Sequence, residues 1–530
     1  MRYSSTADVR SFDSARLRAP LLLAIALLCA VAFGACSHSP PLGGPGYVQV
    51  DITTSPVSID PRYATDVASQ RIGELVFDSM VKIDRHGQFY GDLAESYERP
   101  SATVLVFHLR HDAHFSNGQA LTARDVVYTY NSVLDPKSLS LKSAGLDQLA
   151  SIRALDPYTV EMTTKRAYAA ALEMAMLGIV PYGTPLPGQG PPTTPLGTGA
   201  FMPTRFVRDE VVVLARSPAR PAPPNGVQGI IFKVVPDATV RPLELTEGIC
   251  DLAENDSIEP TLIPYLAGQA HLRVIMSPGN TYQYLAFNFR DQRLRDIRVR
   301  RAIAHAIDRK AVAESMRRDT AQIASGMLPP GNWAYHSDVT RYSYDPQKSM
   351  KLLEEAGYSP LAHPLKLVYK TTPEGKSLAE VLQEELGEVG IAVQVRTNEW
   401  ATFYGDLERG NFDIASSQWV GVTPHLYNMV FDSHMIPPIG DNRGAYANPR
   451  MDKLLQAAGI TLDTALRKKI YAQVQSLAAA DLPYVSLWWP GNIVVINRRL
   501  HGFEPYPNGS LISLATATFA PGTAHIGRRD

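Results

Sequence analysis

The residue types that carry out covalent chemistry are present in this chain, but not in spacings that use them. No H-E-x-x-H helix, G-x-S-x-G turn or GxxxxGK[ST] loop occurs in its 530 residues. Zinc hydrolysis, an elbow-borne serine nucleophile and a phosphate-cradling loop therefore lack a local carrier. Gly197-Thr198-Gly199 lacks the third glycine of a dinucleotide fingerprint and reads as a tight turn. His108, His111 and His114 recur every third residue across a strand and the turn after it. That spacing does not converge three imidazoles on one ion, so a surface strand edge is the better reading. The expectation is a protein that is not an enzyme and has no metal and no cofactor.

What remains suited to a site is aromatic. Trp400, Trp419, Trp488 and Trp489 lie in the second half, with many of the 24 tyrosines. Most are expected in cores, and a few at strand ends can wall a cleft, since pockets favour aromatic linings with sparse polar groups.

The elements that position them follow from periodicity. Thr103–Leu109 reads as a strand. Thr122 opens a helix with Asp125 three residues on, and Val126, Val127, Tyr130 and Val133 share its face. A helical stretch is expected at Gln70–Met80. Asp296 caps a helix carrying Val299, Ile303, Ala306 and Ile307, and Asp345-Pro346 starts another that Gly357 closes. Strand Leu365–Tyr369, a helix stopped by Gly390, strand Ile391–Val395, helix Trp400–Arg409 and strand Phe412–Trp419 make βαβαβ, hence parallel strands with right-handed crossovers. Ligands gather outside the carboxyl ends of such strands, where Trp419 lies. The Pro- and Gly-rich run Pro181–Pro195 is the best internal boundary.

The N-terminus reads as a leader. Arg2, Arg10, Arg16 and Arg18 precede the uncharged apolar run Pro20–Phe33, which is too short to span a bilayer. Phe33-Gly34-Ala35-Cys36 resembles a lipobox with Phe in place of the usual Leu. Residues 1–35 are read as a signal peptide, Cys36 as the lipidated first residue of the mature chain, and 36–46 as its tether. Of the three cysteines, Cys29 leaves with the signal and Cys36 takes the lipid. Cys250 remains alone, so no intramolecular disulfide is expected and stability falls to the core. The net charge of −1 gives no reason to expect nucleic acid.

Several ordered runs carry a resemblance. They are Ser58-Ile59-Asp60-Pro61, Thr103–Val127, Pro195–Phe201, Glu247–Ala253, Tyr284–Asp308, Tyr344–Tyr358 and Ala480–Trp488. Over nearly all of residues 47–515 the chain resembles the family 5 extracellular solute-binding proteins, the dipeptide, oligopeptide and nickel binders of ABC importers. The resemblance implies an α/β, three-lobed periplasmic-binding-protein-like fold, with a hinge between two α/β lobes and an extra inserted domain. Domain I would comprise 47–75, 196–279 and 489–530, domain II 76–195, and domain III 280–488. It implies a monomer, lipid-anchored in the periplasm or cell envelope, that captures oligopeptides or related small solutes and passes them to ABC permease subunits. A nickel chelate, haem or another non-peptide solute is the alternative. The ligand-binding set it implies is Val67, Tyr282, Trp400, Trp419, Val420, Gly421 and Val422, with ligand main chain pairing to the backbone after Trp419.

The chain departs from the peptide-binding pattern at Val422. Peptide binders typically place an aspartate there, three residues after the tryptophan, to pair with the peptide's amino terminus. Either another acid serves, or the ligand has no free amine at that end. The expectation is the latter, with Val422 facing an uncharged leading end and an aspartate there leaving the fold intact.

Overall fold

The computed structural model describes residues 43–85, 87–186, 196–359 and 362–522. Residues 1–35, expected as a signal, Cys36, most of the expected tether and part of the expected boundary run at 181–195 lie outside the described residues. Three sheets organise the rest, and each builds a lobe.

The first sheet has seven strands, in the spatial order Leu272–Ser277, Asn492–Asn497, Leu252–Glu254, Tyr47–Ile52, Gly229–Val234, Val211–Arg216 and Phe201–Val207. Its strands come from three separate stretches of the chain. Tyr47–Ile52 is central, parallel to Gly229–Val234 with Val50 opposite Phe232. Both of those residues are fully buried. Cys250 is buried and free.

The second sheet is antiparallel, in the order Ala94–Ser101, Val104–Leu109, Thr159–Thr164 and Leu149–Asp156. The helix Ala123–Leu134 belongs to this lobe and buries Val126, Tyr130 and Val133. Its start is fixed as the capping pattern predicts, with the Thr122 amide donating to Asp125 Oδ2 at 2.8 Å.

The third sheet has six strands: Ala321–Ile323, Tyr484–Pro490, Tyr282–Phe287, Ile414–Trp419, Leu365–Thr371 and Ile391–Thr397. The last three are mutually parallel and form the expected βαβαβ. The intervening helices are Lys376–Glu388 and Trp400–Arg409. Antiparallel strands complete the sheet, and Tyr282 pairs directly opposite Trp419. All six residues of Tyr282–Phe287 are buried. Leu285 and Phe287 enter one core, while Tyr282, Tyr284 and Ala286 enter another, as alternation across a sheet covered on both faces requires.

Expected helix ends recur. Asp345 Oδ1 accepts from the Lys348 amide at 2.9 Å with Pro346 first in the helix, and Gly357 and Gly390 take positive φ beyond their helices. The Gln70–Met80 expectation is displaced. The helix is Val67–Val76, because Asp66 caps it by accepting from the Ser69 amide at 2.9 Å and Phe77 is already extended. Asp78 then turns inward to Lys82 and Arg220.

Two crossings join the first and third lobes side by side. A Cβ on Gly279 would lie 2.3 Å from the Pro490 carbonyl oxygen, so only glycine permits this approach. Asn492 Nδ2 donates to the carbonyls of Tyr506 (2.8 Å) and Pro507 (3.0 Å).

Candidate functional site

Where the three lobes meet lies a cavity of about 1350 Å³. That is larger than a typical drug-sized pocket, roughly 300–1,000 Å³. The helix Val67–Val76 contributes Gln70, Gly73 and Glu74; the second lobe contributes Lys142, Glu173 and Met176. The third contributes Trp333, Trp489 and the run Trp419–Leu426, and the crossings contribute Ser277–Asn280, Gly491 and Asn492.

Trp419 ends its strand at the cavity. Its ring stacks on Tyr284 at 6.3 Å, and the Arg443 guanidinium stands 5.1 Å from its centroid. Glu408 (2.9 Å) and Asp441 (2.6 Å) fix that guanidinium. The Trp419 indole Nε1 is buried and has no partner among the described residues. Beyond it the backbone leaves the sheet. Gly421 sits at φ +69, and the Val422 amide donates to the Asn280 carbonyl at 3.0 Å. The backbone N–H and C=O groups of Val420 and Gly421 bond to nothing among the described residues. Peptide groups left free beside a cavity are donors and acceptors for a ligand.

The facing wall is charged. Glu173, on the short helix Ala171–Met174, accepts the Thr423 hydroxyl at Oε2, 3.1 Å away. Burial pushes its carboxyl up to about 7, against the lowering effects of Thr423 and Arg467. Close by, the Tyr168 hydroxyl lies 2.6 Å from His425 Nε2. Burial holds His425 down to about 4, with Arg467 adding to it, so the ring is neutral, and Nε2 and the Tyr168 hydroxyl share one hydrogen bond. The Ala169 amide also donates to the Gly459 carbonyl at 2.7 Å. These contacts bring the second and third lobes together. Elsewhere in the cavity burial pushes Glu74 up, its carboxylate accepting the Ser510 hydroxyl, and pushes the Lys142 ammonium down. Lys82 is engaged by Asp78 at 2.6 Å and Asp92 at 2.9 Å.

The family model for bacterial extracellular solute-binding proteins, family 5, matches residues 88–432. The chain belongs to this family. Among curated relatives of this family 5 protein, a dipeptide-binding protein of Pseudomonas aeruginosa is 25% identical over 490 residues, covering 86% of this chain and 91% of the relative. Among solved structures, a dipeptide-binding protein from Pseudoalteromonas sp. SM9913 in complex with Met-Leu superposes with a TM-score of 0.80 at 22% identity, covering 89% of this chain and 100% of that one. NikZ from Campylobacter jejuni in complex with Ni(L-His) superposes at 0.79 and 22%, covering 90% and 100%. At such identities the structural likeness speaks for the fold.

Of the residues expected in the site of this family 5 protein, Trp419, Val420, Gly421 and Val422 border the cavity. Val422, however, is 2% exposed and belongs to the core that holds Tyr427 and Phe431, so its side chain does not present itself to a ligand. Val67 starts its helix one turn before Gln70 and lies outside the cavity lining. Trp400 is exposed at the start of its helix, beside Phe403 and Tyr404, because that helix buries Phe403 and Leu407 instead. Tyr282 borders a separate cavity of about 310 Å³ and bonds Ser486 Oγ at 2.7 Å.

Sequence reading missed Glu173, Lys142, Glu74, Thr423 and His425. For Glu173 a signal existed, since it is the only charged residue between Arg166 and Arg205. A lone charge in an apolar stretch asks for a partner or a ligand.

Proposed function

We propose that this chain is the extracytoplasmic binding component of an ABC importer, and that its solute is a short peptide held extended in the central cavity. The observation that carries this reading is the free backbone of Val420 and Gly421 at a strand end. An extended peptide adds main-chain hydrogen bonds there that do not depend on its side chains, and the volume of the cavity leaves those side chains room and water. The peptide binders among its relatives support it.

Binding closes the second lobe onto the third, about the paired crossings at Gly279 and Pro490, with the Tyr168–His425 and Glu173–Thr423 contacts as the closed-state bonds. The domain division is 47–75, 196–279 and 489–530 for domain I, 76–195 for domain II and 280–488 for domain III. Residues 1–35 act as the export signal and Cys36 carries the lipid that holds a monomer at the membrane. No helix among the described residues is long and apolar enough to cross one.

Calorimetric titration with a panel of dipeptides and tripeptides tests the reading. Binding of several sequences with similar affinity is expected. A chain that ignores all of them yet binds a nickel chelate or haem contradicts it.

A further inference from the structure

We propose that Glu173 receives a positively charged group of the ligand, as the other acid that serves where residue 422 offers none, in place of the uncharged ligand end expected from the sequence; the inference rests on the peptide reading above.

Glu173 lines the cavity, and its side chain makes one hydrogen bond among the described residues, to the neutral Thr423 hydroxyl. A carboxylate has about four lone-pair sites, so most of its accepting capacity is open. No cation among the described residues stands within ion-pair distance of it. The field of Arg467 reaches it, but that guanidinium is spread over the rings of Trp333 (5.1 Å) and Tyr471 (5.9 Å). Glu74 also lines the cavity and takes the Ser510 hydroxyl, with Lys82, Arg71 and Lys142 lowering its pKa against burial.

Position adds to chemistry. Thr423 follows Gly421 by two residues, so it holds the Glu173 carboxylate beside the free backbone of Val420 and Gly421. A ligand chain pairing with that backbone brings one of its ends to Glu173. A half-buried carboxylate short of partners favours the arrival of a cation, because the attraction offsets part of what its desolvation costs. The raised carboxyl pKa reports the same shortage. An ammonium supplies three donors to the open lone pairs.

The test is calorimetric titration of wild type, Glu173→Gln and Thr423→Val with the dipeptide Met-Leu and with N-acetyl-Met-Leu, at about pH 8 so that the carboxyl is ionised. Wild type is expected to prefer the free amine by at least about 30-fold. Glu173→Gln is expected to lose most of that preference by weakening Met-Leu while leaving the acetylated form unchanged. Thr423→Val is expected to reduce the preference by a smaller factor, about 3- to 10-fold. Glutamine matches glutamate in shape, and an unchanged affinity for the acetylated form shows the site intact. If Glu173→Gln weakens both forms equally, Glu173 serves closure alone and the inference is overturned. If it weakens neither, the inference is overturned as well, while the peptide reading stands. Failure of wild type to bind either form overturns the peptide reading itself, and the inference with it.

Discussion

Tyr168 and His425 meet across the space between the second and third lobes, with the phenol oxygen 2.6 Å from Nε2 and the ring centroids 5.2 Å apart. Burial keeps the imidazole neutral, and protonation would turn Nε2 into a donor toward the phenol oxygen. The charge at this contact is therefore tied to pH.

His425 is held at about 4, below the ordinary histidine value of roughly 6.5. The unfolded chain takes up this proton as pH falls through 6.5, and the folded chain does not until about 4. The stability contributed by neutral His425 is thus present above about pH 6.5 and lost progressively on acidification to about 4. Scanning calorimetry should show wild type losing more of its unfolding temperature between about pH 7 and pH 5 than His425→Gln does. Parallel losses in the two proteins contradict the assignment.

Glu173 titrates with the opposite sign. Its folded value of about 7 lies above the unfolded carboxyl value, so the folded state holds the proton more tightly. Stability falls as pH rises from about 4.5 to about 7 and is level beyond. Without ligand, Glu173→Gln is expected to equal wild type at about pH 4 and to be more stable than wild type at about pH 8. Urea denaturation at both pH values decides it. A variant less stable at the higher pH shows a carboxylate already well paired in the free protein.

The parallel unit of the third lobe is legible in the sequence because local and long-range signals agree there. Helical spacing ends at Gly390, and the strands before and after it pair in parallel as the crossovers demand. The same pattern puts Trp419 at a strand end. It does not place Trp400 or Tyr282, because the side of a helix or strand that meets a neighbouring lobe depends on how lobes dock. Glu173 and Thr423 are 250 positions apart, and no periodicity joins them. Following the tryptophan, Val422 is expected to face the ligand; the amide bond to Asn280 instead turns the chain and sends the side chain into the core.

That turn changes what Val422→Asp does. From sequence alone the fold would be unaffected. With the residue 2% exposed, an unpaired carboxylate enters an apolar core, and a loss of about 3–5 kcal/mol is expected from urea denaturation. A variant as stable as wild type would show that the side chain reaches water.

Gly421 tests the backbone segment. At φ +69 an alanine costs about 1–2 kcal/mol, although the space is open, since an added methyl would meet Asn508 Cβ no closer than 3.8 Å. Gly421→Ala is expected to weaken every peptide together by calorimetry, and Trp419→Ala, which loses the Tyr284 stack and the Arg443 contact, to do so more strongly. Selective loss of one peptide would argue for side-chain readout at this segment.

The central claim is that the cavity holds a peptide, and native mass spectrometry of the protein purified from its own cell envelope tests it most directly. Bound masses that fragment into amino-acid series, in several sequences at once, are the predicted result. A bound species that yields no such series, whether a metal chelate, a tetrapyrrole or another small solute, would contradict it.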